Sequence, residues 1–212
     1  MSNGTEGHNR ATLRAVDAAV SLRERKKADT RRRLMTLALR LFEERGFDET
    51  TVGELAAAAD VAPRTFFRYF PTKVEVLFGD HDELVALLRD TLAARPADES
   101  IVHAVRRATL VGIQRLITDP APYLTRSRLA ASVPAAHARS RQLDADYENV
   151  IAEALAADRN TDPATDLRAR VIARAAWSAT RAAREVWLAS AAERDPSRLI
   201  NEAFDLLEQG VT

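Results

Sequence analysis

Thr50-Thr51-Val52-Gly53-Glu54-Leu55-Ala56-Ala57-Ala58-Ala59-Asp60-Val61-Ala62-Pro63-Arg64-Thr65-Phe66-Phe67-Arg68-Tyr69-Phe70-Pro71-Thr72-Lys73 reads as two short helices joined by a tight corner. Thr50 or Thr51 supplies the N-cap of the first, and Glu54 stands where a capping box needs it. Val52, Leu55 and Ala56 give that helix an apolar face. Ala59-Asp60-Val61 is the corner, because Asp enters the left-handed region more readily than most non-glycine residues. Pro63 opens the second helix, where its missing N–H is no loss. Phe66 and Phe70, four residues apart, anchor it to a core. Arg64, Thr65, Phe67, Arg68 and Tyr69 are left to face outward. A helix this short, with a cation, donors and aromatics on one side, suits entry into a DNA major groove.

Upstream, Leu34, Leu37, Ala38, Leu41 and Phe42 recur at the spacing of one helical face, and Gly46 marks the end of that helix. Ala11–Arg25 reads as a short helix with Leu13, Val16 and Val20 on one side, and residues 1–10 as disordered. Downstream, Asp119-Pro120, Asp162-Pro163 and Asp195-Pro196 repeat one start signal, an Asp cap followed by Pro at the first helical position. With Asp98 before Glu99 and Pro134 before Ala135, they predict helices over 73–94, 99–118, 121–132, 135–158, 163–192 and 196–209. Gly210 closes the last. The expected class is all-α. The expected organisation is a flexible basic arm at 1–29, a three-helix DNA-binding domain with a helix-turn-helix at 30–75, and a larger helical domain at 76–212, to which the resemblance described below assigns ligand binding and dimerisation.

Composition narrows the function. Among 212 residues, 46% are hydrophobic and 29% charged, ordinary for a globular protein and too charged for a membrane protein. No apolar run approaches the ~20 residues of a membrane span. Met1–Arg10 is polar and carries no apolar signal core, so a cytoplasmic location is expected. The chain has no cysteine, which removes disulfides, thiolate zinc sites and a cysteine nucleophile together. The zero net charge is uneven: residues 1–73 hold 14 Lys/Arg against 10 Asp/Glu, and the rest hold 17 against 21. A basic front and an acidic rear point the front at a polyanion. Of the basic residues 28 are Arg and 3 Lys, a bias that a GC-rich genome produces by itself.

The segment Ala38-Leu39-Arg40-Leu41-Phe42-Glu43-Glu44-Arg45-Gly46-Phe47, followed by Thr50 to Lys73, resembles the TetR family of bacterial regulators. The family's second stretch runs Thr-Thr-Val-x-x-Ile-Ala-x-x-Ala-Gly-Val-Ser-x-x-Thr-x-Tyr-x-Tyr-Phe-x-x-Lys. This chain departs from it at Leu55 for Ile, Asp60 for Gly, Ala62 for Ser and Phe67 for Tyr. The resemblance implies phosphate-backbone contacts at Thr51, Thr65, Tyr69 and Lys73, and a groove-facing surface at Pro63, Arg64 and Phe67. Phe67 lacks the hydroxyl of the family's Tyr, which leaves only van der Waals contact there. Ala62 removes a side-chain N-cap, a change typically worth ~1 kcal/mol. The basic run Arg23, Arg25, Lys26, Lys27, Arg31, Arg32 and Arg33 is either a solvated arm or a contact to the minor groove or backbone.

The resemblance also implies a dimer through the last two helices, with Trp187, Leu199, Ala203, Leu206 and Leu207 as interface residues, and a pseudo-palindromic operator on double-stranded DNA. The middle helices would enclose a small-molecule effector, hydrophobic or anionic, among Leu84, Leu88, His103, Ile113, Tyr123, Arg126, Tyr147, Trp177 and Arg181. No cofactor or metal is implied: His8, His81, His103 and His137 are dispersed, and neither a Gly-rich phosphate loop nor a Gly-x-Ser-x-Gly elbow is present. The function expected is a ligand-released repressor. Two rivals differ in class. An all-helical enzyme would turn over a bound compound, and a non-sensing architectural DNA binder would be basic throughout and indifferent to sequence.

Overall fold

The computed structural model describes the backbone over residues 4–118 and 121–210, and side chains over 25–113, 121 and 123–210. Every regular element among them is helical, as the sequence predicts. The chain divides into two compact units, Met1–Gly79 and Asp80–Thr212. The division falls after Gly79, a little beyond the expected boundary at residue 75.

The first unit comprises α1 (Gly4–Arg45), α2 (Val52–Ala58), α3 (Pro63–Tyr69) and a 3-10 turn over Val74–Phe78. Helix α1 takes in most of the segment read as a flexible arm. Residues 8–45 contain neither Gly nor Pro to stop it. Leu34, Ala38 and Phe42 turn its face into the core, where Leu55, Ala56, Phe66, Phe70, Val76 and Leu77 meet them. Gly46, at φ +92°, ends the helix, and its amide donates back to the Phe42 carbonyl at 2.9 Å. Gly79 closes the unit by close approach. A Cβ there would lie 2.5 Å from Met35 Sδ and 2.9 Å from the Phe70 ring, so only hydrogen fits. The helix expected over 73–94 is therefore interrupted: Val76 and Leu77 are buried by a 3-10 turn, and a new helix starts after Asp80.

The cap of α2 is Thr51. Its Oγ accepts from the Glu54 amide at 3.2 Å, and the Glu54 carboxylate accepts from the Thr51 amide at 2.8 Å. Thr50 is instead buried, donating its hydroxyl to the Gly46 carbonyl at 2.8 Å. The Thr51 amide, the Thr51 hydroxyl and then Arg45 hold the Glu54 carboxyl below the ordinary glutamate value of 4.5. A carboxyl with a depressed folded value stabilises fully above its unfolded value and loses that contribution as pH falls through the folded one. The urea midpoint of the first unit should therefore fall below about pH 4.5, and part of this fall should be missing in Glu54→Gln. Equal acid profiles for the two proteins would refute it.

The second unit holds α4 (His81–Ala93), α5 (Ile101–Thr118), α6 (Ala121–Ser132), α7 (Pro134–Arg159), α8 (Leu167–Ala189) and α9 (Pro196–Gln209). Val105, Ile151, Ala176 and Phe204 lie in its core with no exposed surface. Two start signals fall elsewhere than expected. Ser100, rather than Asp98, accepts from the His103 amide at the start of α5. Asp162-Pro163 forms a turn in which Asp162 accepts from the Ala164 amide. The cap of α8 is Asp166, which accepts from the Ala169 amide at 3.0 Å and from the Thr161 hydroxyl at 2.6 Å. Pro134 and Asp195-Pro196 start α7 and α9 as predicted. The Asp119-Pro120 signal lies outside the described residues.

Candidate nucleic-acid interface and second polar cluster

Asp60 takes the left-handed conformation, φ 56°, that turns α2 into α3. Ala62 makes no side-chain cap, and Pro63 occupies the first turn of α3. Phe66 and Phe70 are fully buried, with rings 5.6 Å apart. Their burial fixes the rotation of α3 and turns Pro63, Arg64, Phe67 and Arg68 outward, with Thr65 and Tyr69 half-buried at the edge. Phe67 keeps 51% of its surface exposed although it is apolar, its ring edge-on to Phe66. The exposed phenylalanine thus stands beside two exposed arginines, Arg64 and Arg68, on a seven-residue helix.

Three residues expected to meet phosphate are engaged within the unit. Lys73 donates its ammonium to the Phe47 carbonyl at 2.6 Å and the Thr50 carbonyl at 3.0 Å, above the Phe47 ring. Arg31 donates to the carbonyls of Gly79 at 2.7 Å and Tyr69 at 2.9 Å, with its guanidinium over Phe70. Arg31 thus holds the C-terminal end of α3, where unpaired carbonyls carry partial negative charge. The Thr51 hydroxyl serves Glu54. Arg32 is exposed and paired with Asp29. Sequence spacing gave no sign of these long-range hydrogen bonds.

In the second unit, part of the expected effector set converges. Tyr147 stacks on Trp177, with ring centres 4.0 Å apart. Trp177 Nε1 donates to the buried Asp144 at 3.0 Å, and Arg181 stands 3.4 Å from the same carboxylate. Arg126 pairs with Asp80 at 2.6 Å and lies over the Tyr123 ring. Burial pushes the Tyr147 phenol well above the ordinary tyrosine range, with Asp80 adding to the shift. Burial opposes the charge on Arg126, and Asp80 then Tyr123 overcome it, so the guanidinium is held more firmly protonated than usual. Leu88 and Ile113 are core residues, and Leu84 is half-buried. His103 stands apart, exposed on α5 and paired with Glu208 at 2.9 Å. It lines an open groove of ≈ 430 Å³ with Arg106, Arg107, Leu110 and Val111.

Asp80, Asp144 and Arg184 belong to the convergent cluster and were not expected there. Half-buried Asp80 and buried Asp144 lie away from any motif and leave no signature in the sequence beyond their charge. Two of the expected interface residues are also placed differently. Trp187 and Leu199 are buried inside the chain's own core, 3% and 5% exposed, with Trp187 packed on Tyr123. Ala203 and Leu207 are half-buried, and Leu206 is 58% exposed.

A helix-turn-helix unit followed by an all-helical unit with an internal polar cluster defines a one-component DNA-binding regulator. Residues 34–79 match the family described as bacterial regulatory proteins, tetR family, and residues 99–212 match the MftR C-terminal domain. The transcriptional regulator TcmR of Streptomyces glaucescens is 31% identical over 167 residues, 76% of this chain and 74% of that protein. MftR of Mycobacterium tuberculosis is 28% identical over 191 residues, 88% and 93% of the two chains. Among solved structures, Thermus thermophilus FadR, a repressor in complex with lauroyl-CoA, superposes with a TM-score of 0.59 at 26% identity, over 86% of this chain and 95% of that one. The chain belongs to the TetR family: it is a DNA-binding transcriptional regulator and not an enzyme. No described helix is long and apolar enough to cross a membrane.

Proposed function

We propose that this regulator is a homodimeric, cytoplasmic repressor that binds a pseudo-palindromic operator and leaves it when a hydrophobic or anionic effector enters the second unit. The observation that carries the DNA half of this reading is the outward surface of α3, with Arg64 and Phe67 exposed by the burial of Phe66 and Phe70. In this reading Arg64 reads a base edge and Phe67 makes an apolar contact, to a thymine methyl or sugar. Thr51, Thr65 and Tyr69 contact the backbone. Lys73 and Arg31 act by holding the α1–α2 connection and the end of α3, and Arg32 reaches phosphate by exchanging Asp29. FadR's complex with lauroyl-CoA, an apolar chain on an anionic carrier, supports an effector of that mixed character. The aromatic and arginine side chains around Tyr123, Arg126, Tyr147, Trp177 and Arg181 suit the same chemistry.

Selection from pooled random duplexes tests it. A two-fold-symmetric site should emerge. Arg64→Ala should weaken binding to that site by about 1–3 kcal/mol, roughly fivefold to 150-fold, and relax the preference at one base pair per half-site. Thr65→Ala should weaken all sequences alike. Selection that enriches no sequence, with both variants binding as the parent does, would overturn the reading.

A further inference from the structure

Helix α8 carries Trp177, Arg181, Arg184 and Trp187 at spacings of four, three and three residues, which puts them on one face. A tryptophan ends this stripe on either side, and each packs on a tyrosine of a neighbouring helix. Trp177 is 8% exposed and lies 4.0 Å from Tyr147 of α7, nearly parallel to it at 12°. Trp187 is 3% exposed and lies 5.6 Å from Tyr123 of α6, tilted by 54°. The two ends differ in their acceptors. Trp177 Nε1 donates to Asp144 at 3.0 Å. Trp187 Nε1 is buried and meets no acceptor among the described residues. A buried indole N–H ordinarily has a partner, and one left without is costly.

The charge along the stripe is balanced. Arg126 pairs with Asp80 at 2.6 Å, and Arg181 stands 3.4 Å from Asp144 and 3.5 Å from Glu185. Arg184 hydrogen-bonds the Tyr123 side chain and also feels the charge of Asp144. Three guanidinium groups therefore face three carboxylates. A ligand bringing a further charge into this cluster would leave it uncompensated, which in a buried site costs far more than a neutral polar group does. The stripe has room in its pairing for one acceptor and for no charge.

We propose that the effector is an uncharged apolar compound whose carbonyl-type oxygen accepts the Trp187 N–H, supplying at this end of the stripe what Asp144 supplies at the other. The proposal rests on the effector-sensing half of the function proposed above, and of the two ligand characters named there it selects the apolar one. Trp187 is then the residue that selects for an acceptor. A hydrocarbon of the same shape leaves the N–H unanswered and binds less tightly.

The test uses the full chain without DNA, so its outcome is independent of the operator selection. Fluorene, fluorenone and fluorenone carboxylate (a hydrocarbon, a ketone and a keto acid on one ring frame) are measured by equilibrium dialysis. The parent should prefer the ketone to the hydrocarbon by about fivefold, the size of one neutral hydrogen bond, and should bind the keto acid more weakly than the ketone. Trp187→Phe should bring the ketone down to the affinity of the hydrocarbon. A second readout uses the unaltered chain. In isotope-labelled protein the Trp187 indole signal should shift and exchange its proton more slowly when the ketone is added, and the hydrocarbon should leave that exchange alone. Trp177→Phe or Trp187→Phe, whichever keeps its near-ultraviolet circular dichroism, assigns the two indole signals. Equal affinities for ketone and hydrocarbon, binding of neither, or an indole exchange rate that the ketone leaves unchanged would overturn the proposal, including the case in which a water answers the N–H. Tighter binding of the keto acid would overturn this proposal alone and return the effector to the anionic character, leaving the sensing half of the function standing.

Discussion

Phe70→Ala should destabilise the helix-turn-helix unit by about 3–5 kcal/mol, the range for emptying a buried phenylalanine site. Phe67→Ala, three residues away, should change it by no more than about 0.5 kcal/mol, as exposed positions do. The contrast follows from rotation of one short helix. Phe70 has no exposed surface, packs 5.6 Å from Phe66, and lies beneath the Arg31 guanidinium at 4.7 Å. Gly79 lacks a Cβ that would reach within 2.9 Å of the same ring. Truncation therefore removes the ring that Arg31, Phe66 and Gly79 are all fitted to. Units of this size hold only about 5–15 kcal/mol of stability in total, so the variant should lose the early part of its urea transition and its DNA binding together. Phe67→Ala should keep the fold and lose only DNA affinity. Similar urea midpoints for the two variants would show that α3 is rotated from the position described.

Local signals carried most of what the sequence revealed. The capping box at Thr51 and Glu54, the left-handed Asp60, Pro63 at the start of α3 and Gly46 at the end of α1 each depend on residues no more than four apart, so spacing alone displays them. Where two local signals compete, spacing does not choose. Asp162 precedes a proline, but Asp166 has the Thr161 hydroxyl to hold it, and α8 starts from Asp166. Contacts made by folding were hidden. Arg31 reaches Tyr69 across 38 residues, Trp177 reaches Asp144 across 33 and Arg126 reaches Asp80 across 46. Such partners share no periodicity, and an arginine bound to a carbonyl looks, in sequence, like an arginine free to meet phosphate. Trp187 shows the same limit on a helix wheel. It adjoins the exposed Val186 yet points into the core, because α8 is buried on one face and open on the other.

That open face gives the second large prediction. Val171→Glu combined with Leu206→Glu should convert the dimer proposed above to monomer, and lower affinity for the full operator by about a hundredfold or more. On α8, Leu167, Val171 and Val186 are 76%, 57% and 43% exposed, with the small residues Ser178 and Ala182 exposed between them. On α9, Leu206 is 58% exposed. Apolar side chains flanking a small-residue centre allow two helices to approach closely, and among the described residues these side chains of α8 and α9 stay exposed. In a two-fold interface the same patch is used by both copies, so every introduced glutamate appears twice and is buried without a partner against the apolar patch. In the isolated chain the same substitutions sit in water and should move stability by no more than about 0.5 kcal/mol each, which separates loss of association from loss of fold. The DNA consequence follows from linkage. Two recognition helices on one dimer make the second half-site contact intramolecular, and a monomer forfeits that advantage while keeping each α3 contact intact. Sedimentation should show the monomer, and repeated selection should return a single half-site in place of the two-fold sequence. A variant that still sediments as a dimer and still binds the full site would place the interface on another face, and a parent that is itself monomeric would remove the dimer from the mechanism.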